Sequence, residues 1–153
     1  MNDLIKLNRR IALHWLGILD ADQNAYLSYA SVCIAQFTHH PAELSPVLTR
    51  LKLKHHNSLP VAKLNRQYLR FARLAAKDVA AGRIEMLVKL GLDLEQTEAL
   101  ANLTNEALNW LAFGWDEGPI IRFDTHTFVR GAALHARAAQ YHALAYVATR
   151  LAA

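Results

Sequence analysis

A regular series of basic residues is the part of this sequence best suited to chemistry, and that chemistry is anion binding. Five lysines and arginines follow one another at steps of three, four, three and four: Lys63, Arg66, Arg70, Arg73 and Lys77. Because residues three or four apart share one side of a helix, the spacing predicts a single basic stripe, roughly 20 Å long. Apolar residues on the opposite face predict how this helix packs: Leu64, Tyr68, Phe71, Ala75 and Val79.

This basic stripe (Lys63 to Lys77) is unfavourable for the isolated helix, because neighbouring like charges repel by about a few tenths of a kcal/mol per pair. It therefore favours an anionic partner. One candidate is a phosphate backbone, where each basic side chain releases condensed counterions. The others are an acidic protein surface and, with no partner at all, an ordinary solvated helix face.

Charge is unevenly distributed along the 153-residue chain, whose net charge is +4. Residues 44–77 contain eight Lys or Arg and no acid, and residues 78–124 contain nine acids against three Lys or Arg. After Asp124 there are three arginines and again no acid. We therefore expect an anion to bind mainly outside the middle segment.

Residues 96–112 have the pattern of two short helices separated near Asn102 and Leu103, which fits a helix-turn-helix. The second of these helices contains Glu106 and no basic residue. Asn105 and Asn109 are suited to contact bases, but a phosphate backbone would approach this helix against an unfavourable charge. We therefore expect a protein-binding or architectural role for this segment rather than base reading on its own.

Helical periodicity extends over nearly the whole chain and predicts an all-α fold in a single domain covering residues 1–153. We predict a first helix containing Leu4 to Ile18, and a second that contains Tyr26 and continues to Phe37. A third should begin at Ser45 and Pro46, followed by a loop over residues 55–60.

Capping signals place the later elements. A long helix is predicted from Lys63 to Val79, with Gly82 as a place where it weakens or ends. Further predictions are a helix end at Gly91, a capping box at Asp93 and Gln96, a helix capped by Thr104, one extended segment at 120–123, and a final helix from Thr125.

Other kinds of chemistry find little support. We find no catalytic motif and expect no enzyme, cofactor or metal site; the histidine pairs at residues 39–40 and 55–56, and His135 with His142, match no zinc signature. The single cysteine, Cys33, offers no internal disulfide. We expect a cytoplasmic protein, because no apolar run is long enough to cross a membrane and no signal peptide is evident.

Three stretches of the chain together resemble the FlhD family, the D subunit of the flagellar master activator of transcription. They read LNRQYLRFARLAAKD, then LVKLGLDLEQTEALANLTNEALNWLA, then IRFDTHTF, and they cover roughly residues 64–128. The resemblance implies an FlhD-like helical core at 61–130, with an N-terminal helical extension at 1–60 and a C-terminal helix at 131–153. A cysteine that family members can carry before the Arg-Phe-Asp run is absent, so a disulfide-linked dimer is not implied.

The resemblance also implies a function. It is that of a homodimeric activator subunit that binds promoter DNA together with an FlhC-like partner, for flagellar or conjugative-transfer genes, with RNA polymerase as a further candidate partner. Lys89, Arg122 and His126 match family segments used in activation. With Arg130 and Arg137 of the basic tail, they join the basic stripe as predicted DNA-binding residues. The alternatives are a protein-protein adaptor that contacts no DNA, and a ligand-binding regulator or enzyme with a hidden pocket.

Overall fold

The computed structural model describes residues 3–44, 57–115 and 118–151, and over these ranges the fold is all-α. Two short strands pair with each other, and a 3-10 helix spans Pro41–Leu44. The elements in chain order are α1 (Asp3–Leu16), α2 (Ala21–Tyr29), β1 (Ala35–Gln36), α3 (Leu59–Ala80), α4 (Glu85–Leu90), α5 (Leu94–Ala101), α6 (Asn105–Gly114), β2 (Arg122–Phe123) and α7 (Thr125–Leu151).

Helix α3 is the centre of the fold, because α1, α4, α5 and α6 all pack against it. It begins four residues earlier than predicted, at Leu59, with Pro60 in its first turn. Proline is favoured there because the first helical N–H groups have no intrahelical acceptor. The predicted loop at 55–60 is therefore wrong at its last two residues. The helix ends at Ala80, and Gly82 follows with a φ of 93°, as its predicted place at the helix end requires.

The predicted helix boundaries in the second half of the chain are confirmed. Asp93 and Gln96 form a complete capping box at the start of α5, and the Thr104 side chain accepts a hydrogen bond from the Ala107 N–H at the start of α6. Gly91 ends α4 in the left-handed conformation that favours glycine, with a φ of 63°. These signals are reliable because each cap is satisfied within a few residues.

The predicted second helix is wrong beyond Tyr29, where α2 ends. The next residues lead into β1, which pairs antiparallel with β2, so the extended segment predicted at 120–123 has a partner that was not predicted. Buried Asn8 holds the connection: its Nδ2 donates to the Val32 carbonyl at 2.8 Å, and its Oδ1 accepts from the Ile34 N–H at 3.0 Å. The helix start predicted at Ser45 and Pro46 lies outside the described residues.

A second buried amide, Asn65 on α3, forms hydrogen bonds with three backbone groups, one in α6 and two in the segment that follows it. Its Nδ2 donates to the carbonyls of Ala112 (3.3 Å) and Gly118 (3.0 Å), and its Oδ1 accepts from the Ile120 N–H at 2.7 Å. Asn65 is fully buried. Because unpaired buried polar groups are costly, this side chain fixes how α6 and β2 sit on α3.

Helix α7 packs on α2 and, over a smaller area, on α1. Gly131 allows the approach to α2, since a Cβ atom there would lie 3.2 Å from the hydroxyl oxygen of Tyr26. Gly131 is therefore a close-packing position within the final helix.

Two neighbouring titratable groups lie beneath this packing. Burial raises the pKa of the Cys33 thiol from 9.0 to about 11, against a smaller lowering by a hydrogen bond with the Ala35 backbone. Burial also raises the pKa of Tyr68 well above its usual value, and the charge of Cys33 raises it further. Both groups are therefore neutral in the native protein at neutral pH.

These shifts predict alkaline destabilisation. A group whose pKa is higher in the folded than in the unfolded state stabilises fully below the unfolded pKa, and that stability is lost as pH rises through the folded value. We therefore expect the urea midpoint to fall between about pH 9 and about pH 11. The midpoint of Cys33→Ala should fall less over this window, and equal pH dependence in the two proteins would contradict the role given to Cys33.

Candidate nucleic-acid interface

The basic stripe lies on one side of α3, as its spacing predicts. Lys63, Arg70 and Lys77 are exposed, and Arg66 and Arg73 are partly buried. The predicted packing face is confirmed, with three of its members buried and two partly buried: Leu64, Tyr68 and Ala75, then Phe71 and Val79.

Within the described part of the chain, no carboxylate forms an ion pair with the stripe. Asp78, the acid next to Lys77 on α3, pairs instead with Arg83. Arg73 is held by the backbone, since its Nη1 donates to the Leu103 carbonyl at 3.1 Å. That bond fixes the guanidinium without neutralising it, so the positive charge of the stripe remains available to an external anion.

The structure brings two separate sequence signals together in one groove. Between α3 and α6 lies a cavity of about 320 Å³, lined by Arg70, Arg73, Leu74, Asn105, Leu108 and Asn109. Two arginines of the stripe thus lie beside the two asparagines of the helix-turn-helix-like segment. We call this the α3–α6 groove. It combines cations suited to phosphate with amides suited to base edges.

A second groove continues the basic surface towards α1. It has a volume of about 430 Å³ and is lined by Arg10, Lys63, Arg66, Gln67 and Arg70. We call this the α1–α3 groove; it shares Arg70 with the first. The Nε of Arg66 is buried and has no hydrogen-bond partner among the described residues. Arg10 was absent from the predicted site, because nothing in the local sequence links it to α3.

The α3–α6 groove resolves the electrostatic weakness expected of the helix-turn-helix-like segment, α5 and α6. The structure confirms its two short helices, with Asn102 and Leu103 between them. Helix α6 carries exposed Glu106 in its first turn and no basic residue. Its neighbour α3 places the positive charge of Arg70 and Arg73 beside it, so residues of both helices line the α3–α6 groove.

The other predicted DNA-binding residues lie on different elements. Lys89 is partly buried on α4. Exposed Arg122 and His126 line a separate groove of about 800 Å³, together with residues of α2, β1 and α7. Arg130 and Arg137 are exposed on α7, whose packing partners are α2 and α1. The structure therefore places none of these five in the two grooves along α3.

The Arg-Phe-Asp run that contributes to the family resemblance has a structural explanation in this chain. Phe123 is buried, and Asp124 caps α7 by accepting from the Thr127 hydroxyl at 2.7 Å and its N–H at 3.1 Å. These bonds, led by the hydroxyl, lower the pKa of Asp124 below its usual value. The run thus joins a strand to a helix start, and Arg122 and His126 project from that junction.

Comparison of the chain with models of known families, with characterised proteins and with solved structures gave no match. Among the described residues, no three His, Cys, Asp or Glu side chains lie close enough together to hold a metal ion. No described helix is long and apolar enough to cross a membrane. The geometry of the grooves along α3 is therefore the basis for assigning a function.

Proposed function

We propose that this chain is a DNA-binding subunit of a transcription activator, and that it acts in a complex with an FlhC-like partner. The observation that carries the DNA-binding part is the α3–α6 groove, where Arg70, which pairs with no described carboxylate, and backbone-held Arg73 lie beside Asn105 and Asn109. The partner and the activator role are supported by the FlhD resemblance over residues 64–128. Promoters of flagellar or conjugative-transfer genes are the proposed targets on the same ground.

In this proposal α3 contacts the phosphate backbone and α6 contacts the bases. The basic stripe lies along the phosphate backbone and provides affinity without sequence preference. Helix α6 enters the major groove, which is about 12 Å wide and admits one helix. Asn105 and Asn109 then contact base edges, and asparagine is suited to a paired hydrogen bond with adenine. A helix that carries Glu106 approaches DNA because the adjacent arginines offset its charge.

These separate roles of α3 and α6 predict a specific result for the two asparagines of α6. Replacing Asn105 and Asn109 with alanine should weaken binding to the sequence that the activator complex selects from a randomised DNA pool, by about 1–3 kcal/mol per lost base contact. Binding to random DNA, and its salt dependence, should stay unchanged because no phosphate contact is removed. Equal losses on selected and random DNA would contradict base reading by α6. Asn24→Ala on α2 is the matched control, since it lies outside both grooves.

The adaptor alternative makes a different prediction for the complex. If the chain binds DNA, adding it to its co-purified partner should tighten DNA binding and further slow the complex in a gel shift. If the basic stripe instead binds an acidic protein, a variant with alanine in place of Lys63, Arg70 and Lys77 should no longer bind the partner, while the partner keeps its affinity for DNA. The second result would replace the proposed function with that of an adaptor.

A further inference from the structure

Helix α7 carries an exposed face that the proposed function does not use. Arg130, Leu134, Arg137, Tyr141 and Leu144 follow one another at steps of four, three, four and three, so they form one stripe. Leu134, Tyr141 and Leu144 are 54%, 73% and 66% exposed. We call these five residues the α7 stripe. It is roughly 21 Å long and combines two cations with three large apolar side chains.

The α7 stripe lies on the side of α7 opposite to its packing partners among the described residues. Buried Phe128 and Ala132 pack the beginning of α7 from the opposite side of the helix. From Arg137 to Arg150 every side chain that the structure describes is exposed. A helical segment of this length is marginal in water without a packing partner. A surface that covers the stripe would therefore stabilise the second half of α7.

A surface of opposite charge lies on α4 and α5. A groove of about 600 Å³ is lined by Leu87, Leu92, Asp93, Leu94 and Glu95. Beside Leu87 on the same helix, Ile84 and Val88 are exposed, as is Leu94 on α5. We call this the α4–α5 groove.

The acids of this surface are available for pairing. Asp93 is committed to the cap of α5, where it accepts from the Gln96 N–H. Glu95, and Glu98 one turn further along α5, are exposed and form no ion pair with any residue in the described ranges. Glu95 in the α4–α5 groove and Glu98 one turn beyond it therefore offer two carboxylates that pair with no described residue, next to exposed apolar side chains. This combination is the complement of the α7 stripe.

We propose that the α7 stripe of one copy docks into the α4–α5 groove of a second copy. Charge selects this occupant, because no acid follows Asp124 and two α7 helices placed side by side would oppose arginine to arginine. The apolar side chains of the two surfaces supply the buried area, and the arginines face Glu95 and Glu98. Large exposed apolar residues between the cations also distinguish this stripe from a phosphate-binding one.

Each copy carries both surfaces, so two copies can exchange the contact reciprocally. A single helix contact is small beside the roughly 800 Å² per partner of a stable interface, and the reciprocal exchange doubles it. Docking between two different patches closes only when it is returned in this way. The dimer contact is separate from the two grooves along α3, so DNA binding and dimer formation are tested independently.

Sedimentation equilibrium of the full chain between about 5 and about 100 µM tests this contact. We expect a concentration-dependent dimer. The variant Arg130→Glu with Arg137→Glu, and separately Glu95→Arg with Glu98→Arg, should each raise the dimer Kd by about tenfold or more. The two charge-reversed proteins mixed together should form a heterodimer, because each α7 stripe is then again opposite in charge to the groove that receives it. Carrying all four substitutions in one chain should restore the Kd to within about threefold of the unmodified value.

Val147→Ala is the matched control, since it removes an exposed apolar side chain of α7 that lies outside the stripe. Its dimer Kd should be unchanged, whereas Tyr141→Ala should raise the Kd. Helical circular dichroism of each variant establishes that it is folded. The inference is overturned by a monomer over the whole concentration range, by growth beyond two copies, or by folded charge variants with no change in Kd.

Discussion

Replacing Lys63, Arg70 and Lys77 together with alanine should weaken binding to duplex DNA by about two orders of magnitude at low salt and flatten its salt dependence by about 2.7 slope units. These three residues are the exposed members of the basic stripe, and no described carboxylate pairs with them. Because each neutralised phosphate releases condensed counterions, the slope counts contacts directly. The loss should be similar for every DNA sequence, since phosphates carry no sequence information.

Fluorescence anisotropy of a labelled duplex of random sequence, titrated at several salt concentrations, measures both quantities. A second triple variant of Lys6, Arg9 and Arg83 removes the same charge from exposed residues that line neither groove along α3. It should lose much less affinity and keep most of the slope. If the two variants behave alike, net charge rather than the stripe drives binding, and the interface proposed along α3 is wrong.

Replacing Asn65 with leucine should destabilise the protein by about 2–5 kcal/mol, the largest effect that we expect of any single substitution outside the apolar core. Leucine has a similar volume but cannot pair with the three backbone groups that Asn65 satisfies. The Ile120 N–H and the Gly118 carbonyl would then need new partners, whereas the Ala112 carbonyl keeps the bond that it accepts from the Asn57 Nδ2 at 3.2 Å. The junction between α6 and β2 should loosen first.

Urea unfolding monitored by circular dichroism measures this loss, and amide exchange of residues 112–123 locates it. Gln140→Leu is the matched control, because Gln140 is exposed on α7 and has no described bond. Its effect should stay within about 0.5 kcal/mol. A similarly small effect of Asn65→Leu would mean that the three backbone groups find other partners, and that the Asn65 hydrogen bonds do not fix α6 on α3.

The all-α class, the face on which the basic stripe lies, and most helix boundaries could be predicted from sequence patterns. Each of these depends on interactions over a few residues. The capping box at Asp93 and the left-handed turn at Gly91 are satisfied locally, and helical periodicity alone decides which residues of α3 face outwards.

Which residues form the candidate site depends on how distant segments pack, so it could not be predicted from local patterns. Arg70 and Asn105 are 35 positions apart, and Arg10 and Lys63 are 53 apart, yet each pair lines one groove. The pairing of Ala35 with Phe123 likewise depends on how distant segments pack, which is why the predicted second helix ran on too far. Buried Asn8 and Asn65 carry no local signal that separates them from exposed asparagines. Side chains of this kind acquire their role from backbone groups contributed elsewhere in the chain, and periodicity along one helix contains no information about those groups.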